Sequence, residues 1–139
     1  MDIRPRDRFS SRVILTPEGV ADFAKAAGDN NPIHYDEEFA ASTRFGRPIA
    51  SGTQTTSLML GLSATHFSEG ASMIGLEFWM QFRRPIFSDE TIDIEWMVIK
   101  VSAHESLAGD IVDLRGRIRG MDGKTAIGAK GRVLVTQTL

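Results

Sequence analysis

Cysteine is absent from these 139 residues, which rules out disulfides, thiolate metal sites and a cysteine nucleophile together. Long apolar runs are missing too: none approaches the roughly 18 to 20 residues needed to span a bilayer, so no membrane partner is expected. Charge of one sign is not in excess. Sixteen Lys and Arg against eighteen Asp and Glu leave a formal charge of −2, which gives no electrostatic case for nucleic acid as the main partner. The start, M-D-I-R-P-R-D-R, is charged and lacks the apolar segment of an export signal, so a cytoplasmic location is expected. No internal repeat, low-complexity tract or linker divides the chain. With 42% apolar residues it has the material for one core, and a single domain over residues 1–139 is expected.

What is present is concentrated in the run A-A-G-D-N-N-P-I-H-Y-D, Ala26 to Asp36. Pro32 lacks a backbone N–H and disfavours the helical region for Asn31, while Gly28 suits the end of a helix. Asp29 through His34 is therefore expected as a shaped, non-helical loop that aims a carboxylate and an imidazole at one point. D-N-N-P is also ordinary turn chemistry, with Asp and Asn capping local backbone groups. An acid and a base so aimed can hold one water and move its protons, as hydration, dehydration and some hydrolyses require.

The order of elements reads strand, helix, loop, helix, then strands. Phe9, Val13 and Leu15 alternate with Arg8, Arg12 and Ile14 in a short or edge strand. Thr16 is placed to cap a helix with Pro17 at its first position, and Val20, Phe23, Ala24 and Ala27 repeat at helical spacing up to Gly28. A second helix, from about Ala50 to Ala64, is apolar on several faces and expected to be buried, with Gly52 and Gly61 allowing close approach of backbone or ligand. After Gly70 the period becomes two. Ile74, Leu76, Phe78, Met80 and Phe82 share a face, then Ile92, Ile94, Trp96 and Val98, then Val112, Leu114 and Ile118, then Ile127, Val133 and Val135. Met121, Asp122 and Gly123 read as a hairpin turn, so consecutive antiparallel strands are expected, covered on their apolar face by the second helix. The fold class is α+β.

The stretch from Phe23 to Gly52, with G-D-x-N-P-x-H-x-D followed by F-G-x-x-I-A-x-G, closely resembles the hydratase motif of the MaoC-like dehydratases and (R)-specific enoyl-CoA hydratases. The later F-R-R-P-I-F-S-D-E-T-I, Phe82 to Ile92, is similar to the family's sheet region. The resemblance implies a hot-dog fold, an antiparallel sheet wrapped around a central helix, and a homodimer or higher oligomer with composite sites. It implies hydration of a trans-2-enoyl thioester carried by coenzyme A, or in second place by an acyl carrier protein, with no metal and no cofactor beyond the substrate's own coenzyme A. Asp29 and His34 would be the catalytic pair, and the Gly52 N–H at a helix start would meet the thioester oxygen. Asn31 would orient the loop, and Asp36 would serve as a cap or a site residue. Ser51 stands where many members carry His, and would shape the acyl pocket or bond beside the thioester.

Two rival functions follow from the same residues. One is a hot-dog thioesterase, against which the paired His34 argues; the other is a non-catalytic acyl-binding subunit, which Ser51 leaves open. His66 and His104 stand apart without ligand spacing, so no metal site is expected. Ser63 lacks the second glycine of a nucleophile elbow and reads as a helical serine. Arg83 and Arg84 either meet coenzyme A phosphates or form a solvated strand end. Arg115, Arg117 and Arg119 share a strand face without the aromatic interleaving that nucleic acid would want, and Trp79 and Trp96 read as core or interface aromatics.

Overall fold

The structure is a computed structural model and describes residues 1–137. Strand β1 (Arg8–Ile14) leads to helix α1 (Pro17–Ala26), a single 3-10 turn (Pro32–His34), a short helix α2 (Glu37–Ala41) and the long helix α3 (Gly52–Ser68). Four strands follow: β2 (Ser72–Phe82), β3 (Thr91–His104), β4 (Gly109–Arg119) and β5 (Thr125–Thr136). All pairings are antiparallel and the sheet order is β1-β3-β4-β5-β2. With α3 laid across one face, this is the helix-on-sheet arrangement of a hot-dog fold.

The inner faces of three strands match the alternation in the sequence. Ile92, Ile94, Trp96 and Val98 of β3, Val112, Leu114 and Ile118 of β4, and Ile127, Val133 and Val135 of β5 are all buried. Each such side chain contributes about 1.5 to 3 kcal/mol of burial. Trp96 is the anchor under α3. Its indole N–H donates to the Met59 carbonyl at 2.9 Å, which satisfies the one polar atom of a fully buried ring. Gly116 on β4 makes room for it, because a Cβ there would stand 2.4 Å from the Trp96 ring.

Helix α3, expected to be buried, meets the sheet in the single chain along one stripe. Only the stripe Thr55, Met59, Ser63 and Phe67 is fully buried, at the i, i+4 spacing of one helix face. Thr53, Ser57, Gly61 and Ala64 remain exposed in the single chain, and the helix runs on to Ser68. Ser63 is a helical serine as expected, donating to the Leu60 carbonyl at 2.7 Å.

Strand β2 departs from its expected face. A register shift between Gly75 and Glu77 inserts an extra residue and reverses the side to which the preceding residues point. Phe78 and Met80 pack toward the core as expected, joined by Met73, while Ile74, Leu76 and Phe82 are exposed. The strand also pairs with β5 and not with its successor β3, so only β3, β4 and β5 form consecutive hairpins. Met121–Gly123 does form the β4–β5 turn, with Gly123 at φ 77°.

The crossover from β2 to β3 ties the sheet to the residues before α3. Ala50 N–H donates to the Ile86 carbonyl at 2.6 Å, and Ile49 bridges Phe87. Buried Glu90 holds the far end, accepting from Phe87 N–H at 2.6 Å and from Met121 N–H at 2.9 Å.

Candidate active site

Helix α1 delivers Asp29. Thr16 caps its start, accepting from Gly19 N–H at 3.0 Å. At the other end Gly28 adopts φ 74°, its N–H bonds the Lys25 carbonyl and Asp29 N–H bonds the Ala24 carbonyl. That double bond is a Schellman closure, and it fixes the backbone of Asp29 one residue past the glycine. Asn31 then holds the loop from both sides: its N–H donates to Asp29 Oδ1 at 3.2 Å, and its Oδ1 accepts from Ile33 N–H at 3.3 Å. Pro32 opens a 3-10 turn through His34, so the loop is tighter than the expected non-helical one. Asp36 is a cap: it opens α2, a helix the sequence reading did not contain, and accepts from Phe39 N–H at 3.0 Å.

His34 is buried and held by its far nitrogen. Nδ1 lies 2.8 Å from the Ile49 carbonyl. A carbonyl only accepts, so Nδ1 carries a hydrogen and Nε2 is the nitrogen free to gain or lose a proton. Nε2 points at Asp29 Oδ2, 3.3 Å away.

Ser51 makes a second contact to that carboxylate oxygen. It is fully buried and donates from Oγ to Asp29 Oδ2 at 2.6 Å. With its one hydrogen so used, Ser51 Oγ accepts from Thr53 N–H at 3.2 Å, as the N-cap of α3, and from Thr53 Oγ1 at 2.6 Å. Ser51 is thus turned to Asp29 and does not line the neighbouring cleft. The Asp29 carboxyl is held below its ordinary range, chiefly by the Ser51 hydrogen bond, against the opposing effect of burial; Asn31 N–H, the charge of His34 and Thr53 add to the lowering. Asp29 is ionised at neutral pH.

Gly52 begins α3. Of the first-turn donors, Thr53 N–H uses Ser51 Oγ, while Gln54 and Thr55 N–H use the Ser51 carbonyl. Gly52 N–H precedes every intrahelical acceptor. It borders a cleft of about 370 Å³ that also meets His34, with Phe45, Phe82, Ile86 and Ile127 as apolar wall. A Cβ on Gly52 would come within 3.0 Å of the Phe82 ring, so the glycine is what lets that ring close over the helix start. Gly61 faces open space in the single chain.

The remaining candidates separate cleanly. His66 stacks on Phe9 with ring centroids 3.8 Å apart, and His104 Nδ1 pairs with Ser106. Trp79 is half-exposed on the outer sheet face, so of the two tryptophans only Trp96 belongs to the core. Arg83 and Arg84 border the cleft. Thr53 and the Ile49 carbonyl were not legible as site groups. Ser51 preceding a helix by one residue was the available signal for the cap, but its second bond depends on how two distant segments meet.

Known proteins resemble this chain in sequence and in fold. The chain is 35% identical over 108 residues to an (R)-specific enoyl-CoA hydratase of Aeromonas caviae, covering 78% of each. It is 32% identical over 81 residues to a 3-hydroxybutyryl-CoA dehydratase of Methylorubrum extorquens, a match that takes in 58% of this chain and only about half, 51%, of that protein. The solved structure of an (R)-hydratase from Aeromonas caviae involved in PHA biosynthesis superposes with a TM-score of 0.85 at 28% identity, over 94% of this chain and 96% of that one. The family model of the MaoC like domain matches residues 4–113, from β1 through the loop of Asp29 and His34 and α3 into β4. A chain with this loop, this helix on this sheet and this match belongs to the MaoC-like domain family.

Proposed function

We propose that the protein adds water reversibly across the double bond of a trans-2-enoyl-CoA to give a 3-hydroxyacyl-CoA, with Asp29 and His34 as the catalytic pair. The observation that carries this is the 3.3 Å approach of Asp29 Oδ2 to His34 Nε2, with His34 and Gly52, the first residue of α3, both on the wall of one cleft. Both named relatives act on this class of thioester by their names.

In the hydration direction ionised Asp29 accepts a proton from water as the water oxygen bonds C3 of the enoyl group. The electron pair of the double bond moves toward the thioester carbonyl, whose oxygen gathers negative charge. Gly52 N–H, at the positive end of the 17-residue helix α3, stabilises that oxygen. The Nε2 hydrogen of protonated His34 then bonds C2, and the proton left on Asp29 returns to Nε2 across the short gap between them. One water is added and the pair is reset; dehydration runs the steps backward. No cofactor beyond the substrate's coenzyme A enters these steps.

Ser51 in place of the common His is compatible with an active enzyme, since its hydroxyl bonds the proposed base and favours the ionised form. A homodimer completes the proposal. The outer stripe of α3 is exposed, and the edge strand β2 carries exposed Ile74, Leu76 and Phe82 with one side free for pairing in the sheet order.

Asp29→Asn and His34→Ala test the pair. Each is expected to lower kcat at least about 100-fold, and the double variant to be little worse than either, because the two act as a unit. If either single variant keeps most of its activity while folded, that residue is not part of the chemistry.

A further inference from the structure

The outer face of the sheet, away from α3, carries a concentration of positive charge out of keeping with the chain's net charge of −2. The strand registers align it. Trp79 pairs with Lys130, Lys130 with Arg115, Arg115 with Met97 and Met97 with Arg8; one step along, Gly128 pairs with Arg117 and Arg117 with Glu95. Around Gly128 these residues line a basin of about 550 Å³. Five cations stand there, Arg8, Arg83, Arg115, Arg117 and Lys130, against the single carboxylate of Glu95. Glu95 is already shared, 3.3 Å from Arg8 and 3.9 Å from Arg117. Among the described residues, no carboxylate lies within 4.0 Å of Arg83, Arg115 or Lys130; Lys130 instead sits over the half-exposed Trp79 ring, 5.4 Å from its centroid.

Like charges on adjacent strands repel, and sheets ordinarily pair them with acids. A group left uncompensated raises the local positive potential and concentrates anions. Arg83 links this basin to the catalytic cleft. Its guanidinium folds over Gly128, within 3.0 to 3.5 Å of where a Cβ would be, held by Gln81 Oε1 at 2.9 Å from its Nε. The same residue borders the cleft of His34 and Gly52, where Arg44 and Arg84 stand with no carboxylate on the wall.

We infer that this outer-face basin, reached from the cleft over Arg83, binds the phosphates of the nucleotide end of a coenzyme A thioester while the acyl end occupies the cleft. The inference rests on the thioester chemistry proposed above. Guanidinium groups suit phosphate because they present several donors in a fixed plane. The exposed face of Trp79 beside Lys130 offers an apolar surface for the purine ring.

Three trans-2-butenoyl thioesters provide the test: the coenzyme A form, its 3′-dephospho form and the N-acetylcysteamine form, which keeps the reacting atoms and has no phosphate. The variants are Arg115→Gln, Arg117→Gln and Lys130→Gln, all remote from Asp29 and His34, together with the triple variant. Losing one charge-assisted phosphate contact weakens binding about 10-fold. KM for the coenzyme A thioester should therefore rise by about that factor in at least one single variant and further in the triple, with kcat unchanged. Turnover of the N-acetylcysteamine thioester should not move, and the penalty should be smaller for the 3′-dephospho form. Equal losses on all three substrates, no loss on any, or a changed sedimentation coefficient of the variants would each overturn the assignment. So would loss confined to a thioester on an acyl carrier protein, which would make the basin a docking face for that acidic partner. Titration with free coenzyme A separates this claim from the chemistry: binding that the triple variant abolishes supports the basin even if no thioester is hydrated.

Discussion

Removing the Ser51 hydroxyl should change the pH at which the enzyme works. Ser51→Gly is the useful substitution, because glycine at an N-cap costs only a few tenths of a kcal/mol whereas alanine costs about 1. The hydrogen bond from Oγ to the ionised Asp29 carboxylate is 2.6 Å long and made by a fully buried donor. A bond to a charged group contributes about 1.5 to 3 kcal/mol. Water reaches the Asp29 side chain, which is 24% exposed, and replaces part of this, so the lower end is expected. For a chain of this length, 1.5 kcal/mol corresponds to a fall in Tm of about 5 °C. The sign follows from the depressed Asp29 carboxyl: the stabilisation is present above the ordinary carboxylate range and disappears as pH falls through the native value. The stability gap between variant and wild type should thus be full at neutral pH and close in acid. The same loss raises the Asp29 carboxyl, so the acid limb of kcat/KM for an enoyl-CoA should move to higher pH, and Ser51→Thr, which keeps a hydroxyl, should restore it. Thr53→Val should act in the same direction more weakly, since Thr53 Oγ1 backs Ser51 at 2.6 Å and reaches Asp29 only at 3.3 Å. An acid limb that stays in place in Ser51→Gly would refute the coupling of the two side chains.

Other outcomes follow from the packing. Gly116→Ala should destabilise by about 1 to 3 kcal/mol in urea melts, as overpacked cores do, because its Cβ would meet the Trp96 ring at 2.4 Å and Met59 Cε at 2.8 Å. A milder result would mean that Trp96 is free to move. Light scattering at micromolar concentration should give a dimer or larger particle, and a fully active monomer would remove the case for a composite site. Glu90→Gln should weaken the crossover between β2 and β3, since a neutral amide accepts less strongly from Phe87 and Met121 N–H; a thermal melt unchanged from wild type would count against that anchor.

The residues proposed to bear the chemistry were legible where local backbone rules fix them. Gly28, Asp29, Asn31, Pro32 and His34 lie within seven consecutive positions, and a glycine stop followed by a proline-bounded turn is enough to bring the carboxylate and imidazole together. The inner faces of β3 from Ile92 to Val98 and of β4 from Val112 to Ile118 were legible because the alternation is unbroken over those stretches. Strand β2 was not, because a bulge leaves no mark in hydrophobic pattern and Gly75 gave only a weak hint of it. Helix α2, five residues long, is too short to show a period and is declared only by the Asp36 cap. The buried stripe of α3 alternates Thr55 and Ser63 with Met59 and Phe67, so apolarity alone could not show which face meets the sheet. The bond from Ser51 to Asp29 spans 22 positions and joins two loops, and no spacing rule predicts it.

The most direct measurement follows the ultraviolet absorbance of the enoyl-thioester conjugation during incubation with a panel of trans-2-enoyl-CoAs, with free thiol assayed in parallel. Hydration by Asp29 and His34 predicts loss of the conjugation signal with no thiol released, and recovery of the signal when a 3-hydroxyacyl-CoA is supplied instead. Release of thiol at the rate of signal loss, or an unchanged spectrum with every chain length, would contradict it.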